Sequence, residues 1–275
     1  MVPHKEDILK ILEAIRANSS YDLSNYSFNS IGRRFGKILM DFKITPDELI
    51  SRIDSEETFI EEIIKKVTVN TTELFRDPAI WVNFRNNVLP SYMNYPEIKI
   101  WHPGCSTGQE VYSMMILLDD MGLLDRSKIY ASDINSDVIE TAKKGEFKLR
   151  FHQEFVKNFD RTLNPENREP RLRHEKYFTL DKLKDRIQMK KFLIDKPEYK
   201  LIDLVSDTTL FDERFDIIIC RNVIIYFNYE LQNRVLNLFY KNMSENSCLL
   251  LGLHESIIGP FASRFLKTEG VYFKR

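Results

Sequence analysis

Two short stretches of this 275-residue chain carry residue types able to hold a nucleoside. Ile98 to Ser113 reads IKIWHPGCSTGQEVYS, an apolar run breaking into a loop with Gly104 and Gly108 that opens an amphipathic segment. Such a strand-to-helix junction presents free backbone N–H groups, and α/β folds bind nucleotides there. About twenty residues further on, KIYASDI ends in Asp133, the spacing at which such folds place a ribose-binding carboxylate. What is missing narrows the ligand. A dinucleotide loop needs a third glycine, and a phosphate-cradling loop ends in Gly-Lys-Ser/Thr, whereas Gly108 is followed by Gln109 and Glu110. Glu110 would repel a phosphate. The same carboxylate suits a ligand with a ribose, a positive charge and no phosphate, which describes S-adenosylmethionine. On these residues alone, a structural turn that merely allows close strand–helix packing stays open.

The elements that must position these residues divide near residue 70. Before it every periodic segment is helical: Asp7 to Ala17 places Ile8, Ile11, Leu12 and Ile15 on one face, Thr45-Pro46-Asp47-Glu48 reads as a capping sequence, and Phe59, Ile63, Ile64 and Val67 share a face behind Ser55. A helix with Ile80, Trp81 and Phe84 follows. From Ile98 strands and helices alternate: strand 98–101, a helix from Gln109, strand 128–134, a helix from Ser136 closed by Gly145, strand 215–220 (FDIIIC), helix 229–243 and strand 247–252. Asp207 to Asp212 is polar punctuation before FDIIIC, and Lys267 to Lys274 reads as a terminal edge strand. Alternation of this kind predicts an α/β fold with a mostly parallel, Rossmann-like sheet. Between the second and third repeats, residues 142–196 hold sixteen basic and nine acidic side chains, a local charge of +7, with strand-like pieces at Ile187–Phe192 and Tyr199–Leu204. Phe147, Phe151, Phe155 and Phe159 recur every fourth residue there, which favours packing over base stacking.

Composition bounds the function class. With 43% hydrophobic residues and a net charge of −1, the chain can bury a core and has no global bias toward nucleic acid or membrane. Cys105, Cys220 and Cys248 show neither C-x-x-C spacing nor an even count, which predicts reduced thiols without a disulfide framework. His4, His102, His152, His174 and His254 are scattered, so no metal is expected. A charged N-terminus and the lack of a long apolar run predict a cytoplasmic protein with no membrane insertion.

VNTTELFRDP, PGCSTGQEVYS, YASDIN, FDIIICRNVIIYF and GLHES together resemble, in sequence and in order, the signatures of the chemotaxis receptor methyltransferases, the CheR family. The resemblance implies a small all-α N-terminal domain (1–70), a connecting segment (71–97) contributing to the cofactor site, and an S-adenosylmethionine-binding methyltransferase domain (98–275). The last carries a small inserted β-subdomain at about 146–200. It implies methyl transfer to glutamate side chains of methyl-accepting chemotaxis receptors, giving glutamyl methyl esters and S-adenosylhomocysteine. Carried over residue by residue, it makes Asn70, Thr72 and Arg76 cofactor contacts, with Arg76 also near the transferred methyl. It gives Glu110 and Asp133 the methionine and ribose ends, and Asp203 and Leu204 the adenine. Arg221 and Asn222 fall at the cofactor and Tyr226 at the reaction centre. Asp203 departs from the family's asparagine; it can accept from an adenine amino group but has no amide to donate.

Local readings compete with some of these. Asp77 and Pro78 form a plain helix start, with Asp77 as cap and Pro78 in the first turn. Tyr226 and Phe227 read equally as core aromatics, while Arg221 and Asn222 directly follow IIIC at a strand's carboxyl end, where open α/β sheets bind ligands. For receptor docking the resemblance points to the basic residues Arg33, Arg34 and Lys37, of which Arg33 and Lys37 share a helix face, and to the basic stretch 142–196. A solvated surface is the competing reading for both. TLDKLKDRIQM lacks the glycine-rich turn of peptide-binding members, which points to the type that does not hold a receptor tail. Alternatives are a methyltransferase of RNA or a small carboxylate, and a non-catalytic module binding S-adenosylmethionine or S-adenosylhomocysteine.

Overall fold

The computed structural model of the chain describes residues 2–68, 70–164, 173–206 and 211–275. Positions 207–210 of the polar punctuation before FDIIIC, and 165–172 of the basic stretch, lie outside the described residues. Helices α1 (Lys5–Asn18), α2 (Phe28–Phe42), α3 (Pro46–Ser55) and α4 (Glu57–Val67) bury their apolar stripes in a cluster that includes Ile11, Ile15, Phe35, Leu49 and Ile63. The capping sequence acts as expected: Thr45 Oγ1 accepts from the Glu48 backbone N–H at 3.3 Å while Glu48 Oε2 accepts from the Thr45 N–H at 2.7 Å. Two otherwise orphaned donors are thereby satisfied at the start of α3.

After α5 (Pro78–Asn83) come β1 (Ile98–Pro103), α6 (Gln109–Asp120), β2 (Ser127–Asp133), α7 (Ser136–Lys144) and β3 (Glu146–Lys148). The chain continues through α8 (Phe155–Leu163), β4 (Phe178–Asp181), β5 (Arg186–Met189), α9 (Lys191–Ile194) and β6 (Glu198–Leu201). It ends with β7 (Phe215–Cys220), α10 (Tyr229–Asn242), β8 (Met243–Leu251), β9 (Phe265–Thr268) and β10 (Val271–Lys274). Among the described residues, the main sheet has the order β6-β2-β1-β7-β8-β10-β9, with β6 to β8 parallel and the β9–β10 hairpin antiparallel. Helices cover both faces, so FDIIIC buries Phe215 and every residue from Ile217 to Cys220.

Three expectations need correction. The single terminal strand at Lys267 to Lys274 is the hairpin β9–β10, turned at Glu269 (φ 51°) and Gly270 (φ 82°); two consecutive left-handed residues make the tight turn that returns the chain. The strand-like piece at Tyr199 pairs with β2 as the edge of the main sheet, while β3, β5 and β4 form a separate antiparallel sheet. Of the four spaced phenylalanines, Phe147, Phe155 and Phe159 are buried but Phe151 is 69% exposed, because the four lie on a strand, a short 3₁₀ turn and α8 rather than on one helix.

The chain runs from β1 to β2 on one side and later returns to β7 on the other. The loops leaving β1 and β7 therefore flank a crevice at the carboxyl edge, where strand order reverses and doubly wound sheets bind ligands.

Candidate functional site

A cleft opens at that edge, and all ten residues singled out from the sequence for the cofactor and the reaction line it: Asn70, Thr72, Arg76, Glu110, Asp133, Asp203, Leu204, Arg221, Asn222 and Tyr226. They come from the first turn of α6, the end of β2, the loops after β6 and β7, and the segment before α5. The glycines make the approach possible. Gly104 sits at φ 71°, and a Cβ there would run into the Val223 side chain from the opposite loop. Gly108, at φ 91°, occupies the N-cap position of α6.

Asp133 ends β2 and is buried. Its Oδ2 accepts the Ser106 N–H at 2.8 Å and its Oδ1 the Asn135 N–H at 3.0 Å. Burial raises its pKa above the ordinary value, and these backbone donors act in the opposite direction. Asn135 in turn caps α7 through the Asp137 N–H and donates to Thr68 Oγ1 at 3.1 Å, tying the end of β2 to the helical segment before it. Ile202 N–H donates to the Asp133 carbonyl at 3.0 Å, which sets Asp203 beside it. The Asp203 carboxylate accepts from Val205 N–H at 2.9 Å and from the Ser206 hydroxyl at 2.8 Å, so both of its oxygens take local donors.

On the other side Arg221 is buried, with its guanidinium 5.6 Å from the Trp81 ring centroid. Nη2 donates to Asp77 Oδ2 at 2.7 Å and Nη1 to Glu110 Oε2 at 3.3 Å. The simple cap reading of Asp77 is therefore corrected. Pro78 does occupy the first turn of α5, but Asp77 stands at φ 58° and its carboxylate makes no cap; it crosses to the buried arginine instead. Glu110 Oε1 lies 3.7 Å from Nδ1 of His102, a fully buried imidazole rather than a solvated one. Arg76 is half-buried, its Nη1 3.4 Å from the Thr71 carbonyl, and its own carbonyl accepts Trp81 Nε1–H at 3.0 Å.

Asn222 adopts φ 61° and opens the turn leading to Tyr226. That turn is held by Glu255, whose carboxylate accepts the N–H groups of Gly252 (2.7 Å), Asn222 (2.8 Å), Val223 (2.9 Å) and Ile225 (3.2 Å). Burial raises the Glu255 pKa and the four donors act to lower it. Left-handed backbone at Phe75, Asp77, Ser106 and Asn222 concentrates in and beside the cleft, a pattern common at ligand sites.

Several cleft residues escape a sequence reading. Tyr26, between α1 and α2, lines the cleft, and burial first, then Asp203 and Asp133, push its phenol well above the usual range. Its ring meets Phe227 edge-on at 5.1 Å, while Ser27 N–H donates to the Tyr226 carbonyl at 2.7 Å and Asn228 N–H to the Asn25 carbonyl at 2.8 Å. No local pattern signals that contact across two hundred positions, whereas Glu255 stands inside GLHES. Arg34 also lines the cleft, while Arg33 and Lys37 are exposed outside it, so the basic trio does not act as one patch.

The wall suits a cationic nucleoside. Ser106 Oγ and Arg221 Nε are buried without partners among the described residues, leaving polar atoms for a ligand, and the carboxylates Glu73, Glu110, Asp133 and Asp203 line the cleft beside Arg34, Arg76 and Arg221. Among the described residues no three His, Cys, Asp or Glu side chains converge as a metal-ligand set, and no helix is long and apolar enough to cross a membrane.

Comparison with known proteins agrees with this wall. The family model described as CheR methyltransferase, SAM binding domain, matches residues 70–270. The chain is 35% identical over 261 residues to the Pseudomonas putida protein Cher3, covering 94% of this chain and 92% of that protein. It is 28% identical over 270 residues to the chemotaxis protein methyltransferase of Borreliella burgdorferi, covering 93% and 89% respectively.

Proposed function

Because the chain belongs to the CheR methyltransferase family, an S-adenosylmethionine-dependent methyltransferase family, we propose that it esterifies glutamate side chains of methyl-accepting chemotaxis receptors, releasing S-adenosylhomocysteine. The observation that carries this reading is the convergence of an acidic nucleoside wall and Tyr226 on a single cleft. S-adenosylmethionine, when bound, supplies an electrophilic methyl on a sulfonium centre.

The chain's own residues then have distinct tasks. Asp133, already fixed by Ser106 and Asn135, turns its remaining lone pairs to the ribose hydroxyls. Asp203 and Leu204 take the adenine end, and Asn70, Thr72 and Glu110 the methionine end. Arg221 is balanced by Asp77 and Glu110, so it binds without presenting an uncompensated positive charge to a cation. Arg76 and Tyr226 face the incoming carboxylate. A glutamate with a reference pKa of about 4.3 is ionised at neutral pH, so no general base is required. Positioning carries the rate, and alignment of nucleophile and methyl is worth roughly 7–11 kcal/mol in favourable systems. Tyr226 guides the carboxylate by a neutral hydrogen bond; an ion pair to Arg76 alone would hold it more tightly and damp its attack.

The same reading divides the chain into a receptor-facing helical domain (1–70), a connector (71–97) and a methyltransferase domain (98–275) with an insertion at about 146–200. It is supported by the separate apolar cluster of α1 to α4. The test is incubation with tritiated S-adenosylmethionine and receptor-bearing membranes, followed by alkaline treatment. Label released as volatile methanol is expected for a carboxyl methyl ester; base-stable label, or none, sinks the proposal.

A further inference from the structure

Behind the cleft wall stands a polar side chain that the proposed reaction leaves idle. His102 lies on β1, where successive residues face opposite sides, so it shares the face of Ile98 and Ile100. Those two belong to the apolar core, and His102 is as completely buried as they are. Neither of its ring nitrogens has a hydrogen-bond partner among the described residues. An orphaned imidazole in an apolar layer weakens a fold, and such groups persist where function uses them. The charged group it faces is Glu110, whose Oε1 lies 3.7 Å from Nδ1. Glu110 itself is loosely held. Asp133 accepts at 2.8 and 3.0 Å, whereas Glu110 is 3.3 Å from Arg221 Nη1, and Arg221 makes its short bond, 2.7 Å, to Asp77.

We propose that His102 is a positioning residue for the cofactor: its Nδ1–H engages Glu110 Oε1 from behind and aims that carboxylate at the α-ammonium group of S-adenosylmethionine. This rests on the reading of Glu110 as a contact of the methionine end. His102 is fully buried while Glu110 lines the cleft, so the imidazole reaches a ligand only through the carboxylate. At 3.7 Å the contact is too long for a hydrogen bond, and a shift of about 1 Å by Glu110 closes it. A carboxylate offers about four lone-pair sites, so bonds to Arg221 and His102 leave others for the ligand. Charge decides why an imidazole suits this place. One guanidinium against the two carboxylates of Asp77 and Glu110 leaves the corner net negative, which is what a cation needs. A neutral imidazole donates one N–H and so orients Glu110 without cancelling that charge. A lysine or arginine there would cancel it.

The test is titration calorimetry of the full-length protein with S-adenosylmethionine, S-adenosylhomocysteine and methylthioadenosine, the last of which lacks the amino-acid end. His102→Leu removes the donor and fills the apolar layer, so it is expected to keep or raise the melting temperature. Its Kd for the two amino-acid-bearing ligands is expected to rise about tenfold, with methylthioadenosine within about twofold of wild type. His102→Asn keeps a donor nitrogen bonded to Cγ, as Nδ1 is, on a smaller side chain. It is expected to melt lower, because it leaves a void, yet to hold all three ligands within about threefold of wild type. Affinity thus follows the donor and stability the apolar fit, the reverse of what a purely structural histidine gives. In a Glu110→Ala background His102→Leu is expected to cost no further affinity, since its route to the ligand is gone. Wild-type affinity in His102→Leu, an equal loss for methylthioadenosine, or failure of His102→Asn to rescue would overturn the positioning role while leaving Glu110 in place. Wild-type affinity in Glu110→Ala alone would instead remove Glu110 from the methionine end, and the role of His102 with it.

Discussion

The two halves of the sheet's carboxyl edge are organised by opposite means. On the β6-β2-β1 side the walls are side chains: Asp133 and Asp203 are buried, Asp133 held by donors from its own loop and from the β1 loop and Asp203 by donors from its own. On the β7-β8 side the wall is a backbone turn, held from behind by Glu255, and its outward side chains are apolar and exposed. A small polar ligand needs donors and acceptors fixed before it arrives, because ordering them on binding costs affinity. A macromolecular ligand brings its own rigid surface and needs area more than fixed polar atoms. One half is finished within the chain; the other leaves apolar side chains open to solvent.

Arg221 joins the halves, and its removal is the strongest way to break the contrast. Arg221→Met is expected to cost about 3 kcal/mol of stability, because Asp77 and Glu110 are left without their cation. Denaturant unfolding measures it, and a loss under about 1 kcal/mol would show the network to be incidental. Next, Asp133→Ala is expected to weaken S-adenosylmethionine binding by about a hundredfold, on the order of 3 kcal/mol for charge-assisted bonds, with turnover at saturation less affected. Tyr226→Phe reverses that profile: a kcat loss of about thirtyfold, for one hydrogen bond to a charged group, with cofactor affinity unchanged. Titration calorimetry paired with methyl-transfer rates separates the two, and swapped effects would invert the assignment. Tyr26→Phe, which removes only the hydroxyl facing the acidic wall, is expected to raise the cofactor Kd about fivefold.

The smallest effect is a pH dependence confined to the acidic half. Burial holds the Asp133 pKa above its ordinary value, and ribose hydroxyls donate more strongly to the ionised form than to the neutral acid. Cofactor affinity is thus full above that raised pKa and falls as pH drops through it. Fold stability responds with the opposite sign: the contribution of Asp133 is present below its unfolded-state pKa and lost as pH rises through the folded one. The stabilisation conferred by S-adenosylmethionine should therefore shrink on acidification. A thermal shift that stays constant across that range would place the ribose elsewhere.

The sequence showed the parts governed by local rules. Thr45 and Glu48 announce their helix because a capping box is contained in four residues, and FDIIIC announces a buried parallel strand because both faces are covered. That Glu110 and Asp133 would face the cleft was legible from the loop after β1 and from the spacing to the end of β2. Asp77 was not, since a short polar residue before proline is a good cap by every local criterion, and only the buried charge of Arg221 draws it away. The β9–β10 hairpin was missed because its turn, Glu269-Gly270, carries only one of the usual turn residues. β6 was misplaced because nothing within Glu198–Leu201 says which sheet's edge is open to it. Tyr26 had no sequence signal, because its neighbours are supplied by the far end of the chain.

The bridge between Asn25–Ser27 and Tyr226–Asn228 has an evolutionary consequence. The carbonyl that anchors the start of α2 belongs to Tyr226 itself, so on the proposed function the helical segment and the reaction centre hang from the same peptide group. A lineage that remodels the α1–α2 turn would then also shift the aim of the phenol. The exposed outer face of α2 is free to drift, while the turn behind it stays under the constraint set by Tyr226.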